Sequence, residues 1–318
     1  QSAISPQFSQ HVAISRCMKE EGPFGALLID FDSHEFPLFR QISTLSLSEY
    51  RRFRESYDVL ASYQDESMMK FVSNSCDDLV DYVVDYAGRA QERKTLTEVD
   101  ERGANVFDMV CSLTLAAANS FFVVQDQHIL KAAHVGTARG DSTESEVKDA
   151  FRRLEDMNFG YRTLLNLRNA LVHVSIRALH FRVSISIARE PSITLDISRE
   201  DVLATRKLQG KSDFAKEQRT ELESLPHDPS VFTLLKEAMP AFAEVEFQSR
   251  QRLYPETVRH EAARSVCDLI DIFQGQRGTY CFQTGPGMTP NNRQIPNHQR
   301  LSGPSGSGVH SWGSPVMR

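Results

Sequence analysis

Apolar residues recur every three or four positions along most of this chain, a spacing typical of helices with one buried face. Before residue 100 the pattern predicts a helix over 46–63 and a second one that is capped by Asp65 and runs to Arg93. The second helix has an apolar stripe of Met68, Val72, Cys76, Leu79, Val83 and Tyr86. A short strand is predicted over 24–31. Region 1–98 is therefore predicted to be helical with one short strand.

Two longer helical patterns follow this region. Asn105 is the expected N-cap of the first helix, which Gly136 interrupts. Thr143 and Glu146 have the spacing of a capping box, which predicts the start of the second helix. The buried stripe of this second helix is Phe151, Leu154, Met157, Tyr161, Leu164, Leu165 and Leu171. We therefore expect one long helix from Thr143 to His173.

The hydrophobic period changes from helical to two immediately after His173. Apolar residues alternate with polar ones over 179–187, and the alternation resumes at 193–197 after a polar turn. This pattern predicts a β-hairpin over 176–198, inserted into a helical protein. Because two strands alone are marginally stable, the apolar face of the hairpin should pack on the helices or on a partner.

The C-terminal third of the chain contains two further helical patterns. One starts at Asp228 and Pro229, and the other runs over 255–274, after a charged connector over 199–227. Residues 279–318 are rich in Gly, Pro, Ser, Asn and Gln, which predicts a disordered tail. The expected fold is mainly α: a helical bundle over 99–278 that carries the hairpin, preceded by the helical N-terminal region.

Composition limits the classes of function. The 318 residues are 40% hydrophobic and carry a net charge of -6, so a nucleic-acid site must be a local basic cleft. The five cysteines have neither disulfide-like nor zinc-like spacing. There is no phosphate-binding loop, dinucleotide fingerprint or paired-histidine metal motif, so we expect no cofactor and no metal.

The location is predicted to be cytoplasmic. The sequence starts at Gln1 without an apolar leader segment, although a processed or truncated start stays open. The longest uncharged run, 109–125, includes polar residues and is shorter than a membrane span, which favours a buried core helix. No membrane association is therefore expected.

The candidate chemistry lies in the sequence Arg168-Asn169-Ala170-Leu171-Val172-His173. Histidine can take a proton from a ribose 2'-hydroxyl, and arginine can stabilise the charged phosphorane that forms. Five residues of helix turn the two side chains apart by about 140° and separate them by about 7.5 Å along the axis. Their convergence therefore requires a helix end or a second subunit.

Arg-Asn-x-x-x-His at the end of a long helix in a helical core resembles the HEPN family of helical nucleases and nucleotide-binding proteins. The similarity covers about residues 103–174. The resemblance implies a homodimer whose two Arg-His motifs line one cleft and cut RNA without metal. It makes Arg168 the phosphate ligand, His173 the proton-transfer residue and Asn169 the supporting polar group. It also implies a toxin or antiviral effector, silenced by a cognate antitoxin or another regulatory protein.

Other interpretations of the same residues stay open. An arginine and a histidine at a helix end can simply cap the last carbonyls, in which case the protein is a non-catalytic dimerisation or partner-binding module. A nucleotide-binding regulator would bind its ligand in the same groove without cutting RNA. Arg162, His180 and Arg182 could extend the RNA-binding surface, or they could be solvated side chains without a ligand.

Overall fold

A computed structural model describes residues 24–30, 38–64, 67–96, 105–186, 189–284 and 298–300. The protein is mainly helical and carries a small antiparallel hairpin, as the sequence predicts. Contacts between Cα atoms divide the chain into two compact units. Unit 1 combines residues 1–65 with 254–318, and unit 2 contains residues 66–253.

The helices and strands of unit 1 are β1 (Phe24–Asp30), β2 (Leu38–Leu45), α1 (Leu47–Gln64), α9 (Glu256–Ile272), β5 (Thr279–Thr284) and β6 (His298–Arg300). Those of unit 2 are α2 (Ser67–Arg93), α3 (Val106–Arg139), α4 (Thr143–Met157), α5 (Phe159–His173), β3 (Leu179–Ser186), β4 (Arg189–Ile197), α6 (Arg199–Leu203), α7 (Asp213–Ser224) and α8 (Val231–Leu253). A 3-10 turn, Ile176–Ala178, joins α5 to β3.

Unit 1 is built on an antiparallel sheet in the order β2-β1-β5-β6. Strand β1 is apolar on both faces, so each face can support a core. On one face Ala26 and Leu28 pack with residues of α1 and α9, and on the other Leu27 and Ile29 pack with Cys281. The larger of the two cores includes a stacked pair of rings, Phe24 and Tyr50, with centroids 4.5 Å apart.

Unit 1 departs from the sequence prediction in three ways. The strand at β1 is confirmed, but β2 was not expected, and β5 and β6 both lie inside the stretch that was predicted to be a disordered tail from 279, the rest of which is outside the described residues. Helix α9 groups with unit 1, whereas the prediction assigned it to a bundle over 99–278. The physical reason for these differences is that β1 pairs with β5, a strand far away in the sequence. A local hydrophobic pattern does not reveal such a pairing. The predicted cap Asp65 lies outside the described residues.

Unit 2 has an aromatic core among α3, α4, α5 and α8. The rings of Phe121, Phe151, Tyr161 and Phe242 contact one another with centroids 5.0–6.1 Å apart. Asn105 caps α3 as predicted, because its side chain accepts a hydrogen bond from the backbone N–H of Asp108. The helix continues past Gly136 to Gly140, whose φ of 67° is the left-handed conformation that ends helices.

Helix α3 is long and apolar enough to cross a membrane, judged by length and composition only. The core helix of a soluble protein passes the same test, and 44% of the most apolar window of α3 is buried inside the fold. Its buried residues include the polar Thr114, Ser120 and His128. This arrangement fits a soluble protein, and the cytoplasmic location stays a prediction.

The predicted single helix over 143–173 is wrong, because the chain breaks at Asn158 into α4 and α5. Asn158 has extended backbone angles, and its side chain accepts from the N–H of Tyr161, so it caps α5. The capping box expected at Thr143 does not form either. Instead the carboxylate of Asp141 accepts from the hydroxyl and from the backbone N–H of Thr143, and these two hydrogen bonds lower the pKa of Asp141.

The hairpin β3–β4 forms where the alternation predicts it, with Leu179 opposite Ile197. It packs on α2, where the rings of Tyr86 and Phe181 lie 6.2 Å apart. The side-chain amide of Gln91 also bonds both the N–H and the carbonyl of Ser186, as a neighbouring strand would. The apolar face of the hairpin therefore packs on its own bundle, which buries Leu179 and half-buries Phe181, Val183 and Ile185.

Candidate functional site

The position of α5 is fixed at its N-terminal end by a close approach to α8. A Cβ added at Gly160 would lie 2.7 Å from the carbonyl oxygen of Leu234 and 3.0 Å from Cβ of Glu237. The N–H of Gly160 also donates to the Glu237 carboxylate at 3.2 Å. Because glycine alone permits this contact, the rotation of α5 and the direction of each of its side chains are set here.

Arg168, in the last turns of α5, is half-buried and held by three contacts. Its Nε donates to Oδ1 of Asn119 on α3 at 3.1 Å, and its Nη1 donates to Oδ1 of Asn169 at 3.0 Å. The guanidinium lies 4.4 Å from the centre of the Phe122 ring. The predicted pair Arg168 and Asn169 is therefore in direct contact, and the asparagine orients the arginine.

The partners of Arg168 leave its charge uncompensated. Both hydrogen-bond acceptors are neutral amides, and a ring offers only its quadrupole. No carboxylate in the described part of the chain lies within ion-pair distance of this guanidinium, and no described residue accepts from its Nη2. A fixed, partly desolvated guanidinium with an unused N–H edge is well suited to bind a phosphate oxygen.

His173 is the last residue of α5 and is exposed. Beyond it the N–H groups of Val174 and Ser175 both return to the carbonyl of Ala170, so the chain turns away from the helix axis. Among the described residues His173 has no hydrogen-bond partner, and no contact joins it to Arg168. One chain therefore presents the two predicted catalytic side chains separately.

Arg162, predicted as an RNA contact, is instead an internal residue with 7% of its surface exposed. Its Nη1 donates to the carbonyls of Glu155 and Asp156 at the end of α4, and its Nη2 bonds the carboxylate of Glu221 on α7. It thus caps one helix and neutralises a carboxylate from another. Because it is buried and both of its Nη atoms are already bonded, Arg162 does not offer an accessible N–H edge to RNA in this arrangement.

His180 and Arg182, the other predicted RNA contacts, are exposed on the polar face of the hairpin. His180 Nδ1 lies 3.7 Å from the carboxylate of Asp228, which also accepts from Arg199 at 2.8 Å. Arg182 stands opposite Thr194 in the strand register. Nothing in the described residues joins either side chain to Arg168, so the hairpin pair and the α5 pair are separate features.

Sequence reasoning missed Asn119 and Phe122, which complete the setting of Arg168. Asn119 is a polar residue within the uncharged run 109–125, and Phe122 follows one turn later with 38% of its surface exposed. The sequence signal for them is weak, because Asn119 is one of several polar residues in this run and Phe122 is one of several apolar ones.

Two further chemical features bear on the site. Cys111 lies beside the chain exit from α5, with Sγ 3.9 Å from the carbonyl of Ile176, and burial raises the pKa of its thiol to about 11. It is therefore an unreactive thiol at neutral pH. No group of three or more metal-ligating side chains occurs within the ranges that the structure describes.

Comparison of the chain with protein-family models, with curated proteins and with solved structures finds no match. The functional argument therefore depends on the geometry at the end of α5 and on the resemblance of the motif.

Proposed function

We propose that the protein is a metal-independent endoribonuclease of the HEPN type, in which Arg168 binds the scissile phosphate. The observation that carries the proposal is the uncompensated guanidinium, which two amides and a ring hold in one orientation. A cation used only to cap a helix needs neither a second helix to position it nor an aromatic support. This setting is better explained by a ligand that brings the negative charge.

In the proposed reaction the His173 imidazole takes the proton of the ribose 2'-hydroxyl, and the hydroxyl oxygen then attacks the adjacent phosphorus. The P–O bond to the 5'-oxygen of the next nucleotide breaks, and that oxygen leaves with a proton returned by the protonated imidazole. The products are a 2',3'-cyclic phosphate and a free 5'-hydroxyl. Arg168 stabilises the charge on the non-bridging oxygens, and Asn169 positions Arg168.

Because one chain presents Arg168 and His173 apart, the proposed active form is a homodimer that brings two sets of these residues into one cleft. Exposed apolar side chains near the end of α5 would be covered in such a dimer. They are Phe122, Val172, Val174 and Ile176, with 38–54% of their surfaces exposed. His180 and Arg182 are proposed to contact RNA phosphates outside the cleavage point. The cellular role as a toxin or antiviral effector with a cognate antitoxin belongs to the same proposal.

The proposal is tested by cleavage of single-stranded RNA in the presence of EDTA. Loss of the proton-transfer group in His173→Ala should slow cleavage by about 10²–10⁴-fold. Loss of the phosphate ligand in Arg168→Ala should slow it by about 10²–10³-fold. Matched controls are His260→Ala and Arg153→Ala, which remove an exposed histidine and an exposed arginine elsewhere. Cleavage that persists in both site variants, or that needs a divalent metal, would contradict the proposal.

The rival function is a non-catalytic dimerisation or partner-binding module, and the exposed apolar residues Phe122, Val172 and Ile176 are the observation that favours it. In that case the protein would dimerise or capture its partner equally well with Arg168→Ala. Replacing Ile176 by Asp would abolish association in the same assay, and RNA would remain uncut throughout.

A further inference from the structure

A polar stripe runs along one side of α5. Relative to Arg162, the side chains of Asn166, Asn169 and His173 follow at four, seven and eleven residues. At about 100° per residue these four positions fall within an arc of about 60°, so they form one continuous line along the helix. Asn169 and His173 belong to the proposed site, and Arg162 and Asn166 extend the same line toward the start of the helix.

Helix α7 covers the first half of this stripe. Glu221 bonds Arg162, and the Oε1 of Gln218 accepts from the amide of Asn166 at 3.2 Å. Both amide side chains are buried, with 1% and 3% of their surfaces exposed. The second half of the stripe, from Asn169 to His173, is not covered in this way, since His173 is exposed.

The contact between α7 and α5 contains buried polar atoms whose hydrogen-bonding capacity is not fully used, which is unusual for a permanent contact. The Oδ1 of Asn166 and the Nε2 of Gln218 are buried, and neither forms a hydrogen bond with another of the described residues. A buried polar atom left unpaired costs free energy, so this contact stabilises the closed position less than an apolar or fully paired one would. The most extensive backbone contact of α7 is with the short helix α6.

Arg162 would stay in position if α7 moved away. Its Nη1 is held by two carbonyls of α4, and α7 occupies only its Nη2. Glu221 reaches this point from the surface, because 43% of its side chain is exposed. Its carboxylate oxygen therefore stands where a phosphate oxygen would bind the same N–H edge.

We propose that α7 is a displaceable cover over an anion-binding stripe on α5, with the Glu221 carboxylate occupying the place of an RNA phosphate on Arg162. The inference rests on the proposed function, because it assigns RNA as the anion. When α7 is displaced, Arg162 and Asn166 become accessible, and the phosphate-binding surface extends from the last turn of α5 toward its first turn. Closure of α7 keeps the protein in a state of low RNA affinity.

The test uses the full chain with Glu221→Gln and, as the matched control, Glu217→Gln. Glu217 is an exposed carboxylate on the same helix, so the two variants change the net charge equally. Hydrogen exchange of the amides in α7 reports whether the cover opens. Binding of a fluorescent 2'-O-methyl RNA reports the affinity, since this RNA lacks the attacking hydroxyl and stays intact.

In Glu221→Gln the α7 amides should exchange about tenfold faster than in Glu217→Gln, because a charge-assisted bond that holds the cover is lost. The same variant should bind the RNA about fivefold more tightly, because displacing α7 costs less free energy in it. Exchange in α3 should stay unchanged in both variants. The control should bind RNA within about twofold of the unmodified chain, since its charge is screened by solvent.

Equal exchange of α7 in the two variants would overturn the inference, as would acceleration that spreads to α3 and so reflects global unfolding. Faster exchange without tighter binding, or no RNA binding at all, would also overturn it. Failure of the nuclease proposal has a different signature, because Arg168→Ala and His173→Ala would then leave RNA cleavage unchanged. Exchange of α7 does not depend on that result.

Discussion

The two ends of α5 use the same residue types for different purposes. At the first end Arg162 is buried, bonded to a carboxylate and to two backbone carbonyls. At the last end Arg168 is half-buried, and its partners among the described residues are all neutral groups. A compensated arginine holds helices together, whereas an uncompensated one retains charge for a ligand. The partner of an arginine, and not its position in a motif, therefore indicates its role.

The two ends of α5 also differ in how tightly they are packed. The first end approaches α8 so closely at Gly160 that a single methyl group would clash with backbone. The last end carries the exposed side chains of Val172 and His173. The first end gives the helix its orientation, and the last end has room for a binding partner.

The largest predicted difference is in stability between Arg162→Ala and Arg168→Ala. Removing the buried Arg162 takes the partner from two carbonyls at the end of α4 and from the Glu221 carboxylate, so the free energy of unfolding should fall by about 2–4 kcal/mol. Removing Arg168 leaves only amides at the edge of the fold, and the loss should be about 1 kcal/mol or less. Urea unfolding of the two variants measures the difference. Equal losses would mean that the two arginines are both structural.

Gly160→Ala tests the tight approach of α5 to α8. The added Cβ has no space, so the free energy of unfolding should fall by about 1–3 kcal/mol. Gly88→Ala is the matched control, because Gly88 also lies inside a helix but has no atom within 4 Å of an added Cβ. That change should be neutral or stabilise by up to about 1 kcal/mol. A harmless Gly160→Ala would show that α5 is not fixed by this contact.

One asparagine at each end of α5 should distinguish an effect on stability from an effect on RNA binding. Asn158→Ala removes the cap of α5 and should lower the free energy of unfolding by about 1 kcal/mol. Asn169→Ala should change stability by no more than about 0.5 kcal/mol. It should nevertheless weaken RNA binding, because Arg168 loses a positioning partner. RNA binding by fluorescence anisotropy and urea unfolding report the two effects, and a reversal of this order would contradict the assignment of roles.

The thiol of Cys111 provides a probe of the last end of α5 that needs no substitution. Since only the thiolate is alkylated, its rate should rise about tenfold per pH unit from pH 7 until the pH approaches the pKa of about 11. The exposed Cys267 should react first at neutral pH. Mass spectrometry of the alkylated peptides separates the two sites. Rapid labelling of Cys111 at pH 7 would indicate that the end of α5 opens readily.

The local elements of unit 2 were predictable because the information lies within short windows of sequence. The cap at Asn105 and the period change after His173 each place an element boundary correctly. The break at Asn158 was missed because apolar spacing continues through it, and only the packing of Gly160 on α8 reveals why the chain turns. Strand β5 was missed because its partner β1 lies near the other end of the chain.

Within the candidate site, sequence alone placed Arg168 beside Asn169, but it treated Arg162 as a residue of the same kind. The difference between them arises from Glu221 and Asn119, which lie far away in sequence. The spacing of residues within one helix predicts only the direction in which each side chain points. Whether the charge of an arginine is compensated depends on residues of other helices. The chemistry of RNA cleavage stays a prediction.

The antiparallel pairing of β1 with β5 has a consequence for biosynthesis. The ribosome releases β1 and its sheet neighbour β2 long before the other neighbour, β5, exists, whereas the helices that form the aromatic core of unit 2 are all synthesised before β5. One edge of the apolar β1 thus stays unpaired until β5 is made, and ribosome-bound chains arrested before residue 279 should recruit chaperones through that edge.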